Sequence, residues 1–164
     1  LTDVTGVQTC ALPISNKASA VVSSAEGVQG NATDTAAVAF TDVAPTVTLA
    51  KTVTGPSSQL ESEATFGYEL AITNTSAETV TIQKLTDDHT LSRGCENLIN
   101  TEIAAGKTAT CAYTVQQSKP GEIANTATVT VVDNDGSTAT ANASASVTVR
   151  PLPTLRLADR KSVV

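Results

Sequence analysis

The feature that most constrains the fold is a strict alternation of apolar and polar residues between Gly121 and Val149. The apolar side chains recur at every second position, first at Ile123, Ala127, Val129 and Val131, then at Ala139, Ala141, Ala143, Ala145, Val147 and Val149. A period of two predicts two β-strands, each with one buried and one exposed face.

The turn between these strands decides their register. A two-residue turn at Asp135-Gly136 would send the two apolar rows to opposite faces of the sheet. A three-residue loop instead pairs Val131 with Ala139, so that both rows face one core. The third residue of such a loop is left-handed, and glycine adopts that conformation without strain. The sequence therefore predicts a hairpin turn at Asn134, Asp135 and Gly136.

The same pattern occurs earlier in the chain. Residues 16–45 align with the hairpin at a constant offset, although Asp34 falls on the apolar row, where we expect a bulge or a frayed strand. PTVTLA at 45–50 also recurs as PTLRLA at 153–158. Self-similarity at a fixed period predicts a tandem array. We therefore assign 15–44 to the last hairpin of a truncated repeat, 45–150 to a complete repeat and 151–158 to the first strand of another.

The complete repeat has strand patterns throughout and no helical period. Its most apolar row is Ala64, Phe66, Tyr68, Leu70 and Ile72; other inward rows begin at Val47, Val80 and Ala109. Residues 87–101 have the least regular sequence pattern. The one element that we expect there is a short edge strand. About seven strands predict an all-β fold, an antiparallel immunoglobulin-like β-sandwich.

Both ends of the chain resemble translated sequencing adapters. VTGVQTCALPI at 4–14 and DRKSVV at 159–164 match the two adapters of a common short-read method, each in its expected orientation. We expect 1–14 and 159–164 to be non-native tails that flank a gene fragment; a natural disordered tail at each end is the alternative. Such segments carry no information about the fold.

The composition excludes some partners. The formal net charge is −6, and no cluster of Lys or Arg offers a surface for nucleic acid or an anionic membrane. No apolar run reaches membrane-spanning length. Abundant Thr, Ser, Ala and Val favour an extracellular β-protein.

Two cysteines remain once Cys10 is assigned to the tail. Cys111 lies on an inward row and Cys95 in the irregular region before it. A disulfide between them would close a loop of about 16 residues and stabilise the fold by roughly 3 kcal/mol. Two buried thiols, or a metal or catalytic role, are the alternatives, although no metal-binding Cys spacing is present.

Other polar residues have a structural and a chemical interpretation. Asp87-Asp88-His89 is either a solvated turn or a metal or acid–base site, but consecutive residues of an extended chain point to opposite sides. Asp133 to Asp135 resembles part of a calcium loop without the Glu that such a loop requires. Lys51 faces inward, either reaching solvent at the sandwich edge or joining an Asn in an isopeptide bond. No catalytic, metal-binding or cofactor-binding motif is recognised.

Four segments resemble one family. PTVTLAKTV (45–53), TFGYELAITNTSAETVTIQKLTDD (65–88), IAAGKTATCAYTV (103–115) and GEIANTATVTVVDNDG (121–136) are similar to the immunoglobulin-like conserved repeat domains of bacterial surface proteins, a domain of unknown function. The resemblance implies tandem stalk or scaffold modules of secreted or cell-envelope proteins, without known catalysis. Relatives often carry a Pro-Gly turn after the third strand, where this chain has a long polar loop.

These observations lead to one expected function and one alternative. We expect a non-catalytic spacer repeat of a secreted or cell-surface protein that has no cofactor and whose partners are neighbouring repeats of the same chain. The alternative is an adhesive module that binds a carbohydrate or a host protein through the loop at 87–101. The sequence names no external ligand.

Overall fold

The structure, a computed structural model, describes residues 14–39, 42–62 and 64–154. The chain divides into two compact units, 1–44 and 45–164, and each is described by itself. Of the tails expected at 1–14 and 159–164, residues 1–13, with Cys10, and all of 159–164 lie outside the described residues. So do 155–158 of the strand expected at 151–158, whose described part, 151–154, is irregular.

The described residues of the first unit form a two-stranded hairpin. Strand β1 (Ile14–Ser23) pairs antiparallel with β2 (Gln29–Val38), and every residue of both strands is exposed. The bulge expected at Asp34 is absent, because the register runs without interruption and pairs Asp34 with Ala18. A carboxylate is tolerated on this row because no core covers it. Ile14, assigned to the tail from the sequence, pairs with Val38.

Within its described residues, the second unit contains six long strands, two short ones and a single helical turn. In chain order they are β3 (Val47–Thr54), β4 (Ser58–Leu60), β5 (Thr65–Asn74), β6 (Val80–Asp87), α1 (Arg93–Glu96), β7 (Glu102–Ile103), β8 (Thr108–Gln116), β9 (Gly121–Val132) and β10 (Thr138–Arg150). Alternating burial along the long strands follows the period of two in the sequence.

These strands form two sheets. One has the order β3-β5-β8 and the other β4-β10-β9-β6-β7. All neighbours are antiparallel except β4 and β10, which pair in parallel. The fold is therefore the expected all-β, immunoglobulin-like sandwich. The pairing of β6 with β9 has a register shift between Ile82 and Lys84.

The core lies between the sheets. Phe66, Tyr68, Leu70 and Ile72 of β5 are 0% exposed. Facing them are the buried side chains of the second sheet, which are Val80, Ile82, Leu85, Ile103, Ala127, Val129, Val131, Val147 and Val149. Each sheet therefore has one apolar face, and the two faces bury each other.

The chain enters and leaves this sandwich at opposite ends. Before β3, the backbone of Thr46 donates to Ser76 Oγ at 2.9 Å, so β3 begins beside the β5–β6 turn. Because β6 begins at that turn and pairs antiparallel with β9, the β9–β10 turn lies at the same end. Strand β10 then runs 13 residues to Arg150, a distance of roughly 40 Å at about 3.3 Å per residue.

Residues 87–101 differ from the expectation. They hold the one-turn helix α1, and the short edge strand follows them as β7. Ser92 caps the helix by accepting from the Cys95 backbone N–H. Asn100 adopts a left-handed φ of 66° and donates its backbone N–H to the Ile82 carbonyl at 2.8 Å. One helical turn is too short to give a helical period, so only Ser92 signals it.

Candidate functional site

The most unusual feature of the sandwich is an ion pair buried between its sheets. Lys51 Nζ of β3 lies 2.5 Å from Asp87 Oδ2 at the end of β6, and neither side chain is exposed to solvent. Lys51 therefore does not reach solvent at the sandwich edge, as one interpretation of the sequence proposed. Two charges are stable in such a place only when they neutralise each other and find further hydrogen bonds.

Two tyrosines and an asparagine complete this buried polar cluster, which consists of Lys51, Tyr68, Asp87, Tyr113 and Asn125. Tyr113 donates its hydroxyl to Asp87 Oδ2 at 2.6 Å, and Asn125 Nδ2 donates to the Tyr113 oxygen at 3.2 Å. The two tyrosine rings stack at 5.5 Å. Lys51 Nζ lies 5.0 Å from the centre of the Tyr68 ring and 5.6 Å from that of Tyr113, so the aromatic faces also attract the cation.

Burial changes the acidity of these groups. Desolvation lowers the pKa of Lys51, and the contact with Asp87 offsets only part of that shift. Burial alone would raise the pKa of Asp87, but hydrogen bonds from Lys51, Tyr113 and the His89 backbone outweigh it and lower the pKa. Desolvation and the hydrogen bond to Asp87 raise the pKa of Tyr113. Asp87 is therefore held ionised.

The structure separates the residues of Asp87-Asp88-His89. Asp87 points into the core, whereas exposed Asp88 accepts the Thr126 backbone N–H at 2.8 Å. His89 Nε2 lies 3.1 Å from Gln117 Nε2. The interpretation as a solvated turn is thus wrong for Asp87, whose side chain is buried, and the three side chains do not converge on one site.

A disulfide joins Cys95 to Cys111. Cys95 is fully buried on α1, and Cys111 lies on β8 opposite Leu70 of β5. The bond therefore attaches the irregular segment at 87–101 to β8, an edge strand of the three-stranded sheet. Ser92 Oγ strengthens the attachment by donating to the Ala112 carbonyl at 2.9 Å.

The turn at Asn134, Asp135 and Gly136 has the register that a three-residue loop predicts. Val131 pairs with Ala139, and Gly136 has a left-handed φ of 85°. The Asp133 carboxylate accepts the backbone N–H groups of Asp135 at 3.0 Å and Ser137 at 2.8 Å.

The first hairpin repeats this turn without the acidic residue. Ser24 Oγ accepts the backbone N–H groups of Glu26 and Val28, each at 3.3 Å. Gly27 has a φ of 82°, close to that of Gly136. A hydroxyl thus fills the position of the Asp133 carboxylate, which favours turn chemistry over a calcium loop.

The parts of the chain that the structure describes contain neither a grouped set of metal-binding side chains nor a helix that could span a membrane. Within 14–39, 42–62 and 64–154, no three His, Cys, Asp or Glu side chains are grouped to hold a metal ion. The helix in the same residues is a single turn, and no helix there has the length and apolar character to cross a membrane.

The buried polar cluster was not predicted from the sequence, although the alternation of inward and outward residues places its members at inward positions. After the register shift in β6, Leu85 and Asp87 lie on one face, and Asn125 lies on the inward row between Ile123 and Ala127. Lys51 occupies the same kind of position on β3. The sequence signal for the cluster was one inward polar residue on each of three strands. Whether these residues meet depends on how the two sheets pack.

Comparisons with known proteins give a distant structural likeness. No family model matches the sequence, and no curated protein matches it. The CARDB domain of a Pyrococcus furiosus protein, solved in complex with di-metal ions, has a TM-score of 0.37 and 16% identity. The match covers 70% of this chain and 95% of that domain. This likeness is too weak to bear on the function of the present chain.

Proposed function

We propose that residues 45–150 are a non-catalytic structural spacer in a secreted or cell-surface protein. The observation that carries the proposal is that the chain enters at one end of the sandwich and leaves at the other. A domain with its connections at opposite ends separates whatever lies before it from whatever follows. Here that separation is roughly 40 Å, from the length of β10 and the rise of a strand.

The direction of the strands suits a domain that transmits tension. A pull on Thr46 and Arg150 draws β3 and β10 in opposite directions along their own axes. The hydrogen bonds between β3 and β5, and those of β10 with β4 and β9, lie across that direction. They are therefore loaded together rather than one after another. Such an arrangement resists extension better than one in which strands peel from one end.

A tandem array of such spacers is supported by the first hairpin. Its pairs Ile14–Val38 and Ser23–Gln29 correspond, at one constant offset, to Ile123–Val147 and Val132–Thr138 of the second hairpin. Its left-handed turn glycine, Gly27, corresponds to Gly136 at the same offset. In this proposal the first hairpin is the end of a preceding repeat, as the resemblance to conserved repeat domains of bacterial surface proteins implies. Neighbouring repeats are then its partners.

An oxidising location is supported by the disulfide. Cytosolic reductants keep most protein thiols reduced, whereas disulfides persist outside the cell and in the cell envelope. The bond between Cys95 and Cys111 therefore fits a protein that is exported, and we propose that location for this domain.

The adhesive alternative has less support. The side chains of Leu91, Leu98 and Ile99 in the segment at 87–101 pack against the core, and Cys95 of the same segment is buried. The apolar groups that would anchor a partner are thus turned inward, which favours a spacer over a binding loop.

Single-molecule extension of the full chain tests the spacer. Handles attached through non-cysteine groups at Thr46 and Arg150 load the strands in shear, and handles at Thr46 and Asp135 pull from one end as a matched control. We expect the first pair to need a several-fold higher force. Equal forces in the two geometries, or extension without a force peak in the first, would contradict a load-bearing role.

A further inference from the structure

Asn125 has an unpaired atom inside the sandwich. The residue is 0% exposed, and its Oδ1 accepts no hydrogen bond from any residue that the structure describes. Its Nδ2 is used, since it donates to the Tyr113 hydroxyl at 3.2 Å. A buried carbonyl without a donor is destabilising and rare, so its retention needs a reason.

A continuous path of hydrogen bonds connects this amide with a buried amine. Lys51 Nζ contacts Asp87 Oδ2 at 2.5 Å. The same oxygen accepts a hydrogen bond from the Tyr113 hydroxyl at 2.6 Å. That hydroxyl in turn accepts a hydrogen bond from Asn125 Nδ2. An amine, a carboxylate and a carboxamide therefore share one dry site, with a hydroxyl between the last two.

We propose that Lys51 and Asn125 are joined by an isopeptide bond between Nζ and Cγ, with Asp87 as the base and Tyr113 as the proton relay. The reaction needs no cofactor and no oxidant, because it exchanges one amide for another. Two of its requirements, a neutral amine and the exclusion of water, depend on burial.

The atoms balance as follows. Asp87 takes a proton from the Lys51 ammonium, and the neutral Nζ attacks Asn125 Cγ to form a carbon–nitrogen bond. Tyr113 passes its hydroxyl proton to Nδ2 and regains one from Asp87. The Cγ–Nδ2 bond breaks and ammonia leaves. Nζ loses a second proton as the intermediate collapses, so the products are a secondary amide and, overall, an ammonium ion.

Asn125 is a better electrophile than Asp87 for attack by the Lys51 amine. Asp87 receives hydrogen bonds from Lys51, Tyr113 and the His89 backbone, all of which favour its carboxylate form. An ionised carboxylate resists nucleophilic attack, whereas the carboxamide of Asn125 is neutral. The lowered pKa of Lys51 eases the step in which the ammonium loses its proton.

The bond would join the two sheets. Lys51 lies on β3 of the three-stranded sheet and Asn125 on β9 of the five-stranded sheet. The crosslink and the disulfide between Cys95 and Cys111 would then be two covalent closures of one sandwich. The proposal concerns chemistry within the domain and stands independently of the spacer role.

Mass spectrometry of the full chain, reduced and denatured, tests the crosslink. We expect a mass below that of the sequence by one ammonia per chain. After tryptic digestion we expect one branched peptide that contains both Lys51 and Asn125, with no cleavage after Lys51. Lys51→Arg keeps a cation beside Asp87 but removes the amine nucleophile, so this variant should have the full mass.

The controls separate the crosslink from ordinary asparagine chemistry. Asn142 is exposed on β10, and Asn142→Ala should retain the ammonia loss. An unchanged wild-type mass with tryptic cleavage after Lys51 would overturn the proposal. So would an ammonia loss confined to a single peptide that lacks Lys51. Loss of water with Lys51 joined to Asp87 would overturn the assignment of Asn125.

Discussion

Lys51 and Asp87 connect the two sheets of the sandwich through the contact of Nζ with Oδ2, and neither side chain touches solvent. Lys51 lies on β3, an edge strand of the three-stranded sheet. Asp87 is the last residue of β6, which belongs to the five-stranded sheet. The pair therefore fixes how the sheets face each other, in a core that otherwise consists largely of apolar side chains.

Removal of one partner of the buried ion pair should destabilise the fold strongly. We expect Asp87→Ala to lower the free energy of unfolding by about 3–5 kcal/mol, because the Lys51 cation is left buried without a counter-charge. Asp88→Ala, which removes an exposed neighbouring carboxylate, is the matched control and should change it far less. Urea unfolding measures both. A loss for Asp87→Ala no larger than that for Asp88→Ala would contradict the role of the pair.

Replacement of both partners should recover stability relative to the single variant. In Lys51→Met/Asp87→Leu no charge remains in the core, and apolar side chains of similar volume commonly replace a buried ion pair at little cost. We expect this double variant to be more stable than Asp87→Ala in the same urea titration. A double variant as unstable as Asp87→Ala would show that packing, rather than charge, decides the effect.

The fold was predictable because it depends on local patterns. The alternation between Gly121 and Val149 is enough to predict the strands, and Gly136 is enough to predict their register. The buried polar cluster was not predictable in the same way, because Lys51, Asp87 and Asn125 lie far apart in the chain. Each is visible as an inward polar residue, but their meeting depends on the packing of two sheets. The helix α1 was missed because a single turn has no period.

The disulfide should stabilise the domain mainly through the unfolded chain. Cys95 and Cys111 are separated by 16 residues, and closure of a loop of that length contributes about 3 kcal/mol. We expect Cys95→Ala/Cys111→Ala to lose about this amount in urea unfolding. Before reduction only Cys10 should react with an alkylating reagent; ready alkylation of Cys95 and Cys111 would exclude the bond.

The two hairpins should differ in dynamics although they share a turn and a register. Strands β1 and β2 are exposed along their whole length, and an isolated hairpin is marginally stable in water. Strands β9 and β10 place one face on the core. Hydrogen exchange followed by mass spectrometry should show fast exchange in 14–38 and slow exchange in 121–150. Equal protection of both would mean that the first hairpin is stabilised as well as the second.

The left-handed turn glycine offers a sharp test of the register. We expect Gly136→Ala to cost about 1 kcal/mol, because an L-residue is strained at this positive φ. Gly27→Ala puts the same strain into the first hairpin and should leave the unfolding of residues 45–154 unchanged. Thermal unfolding of both variants would measure the difference. An unaffected Gly136→Ala protein would contradict the turn as described.

The central claim is that residues 45–154 form a self-contained sandwich that needs neither its neighbours nor a metal ion. The most direct test is to express Pro45–Thr154 alone and to follow its thermal unfolding in excess calcium and in excess chelator. We predict one cooperative transition with the same midpoint in both conditions. Failure of this segment to fold alone, or a large calcium-dependent rise in the midpoint, would contradict the account.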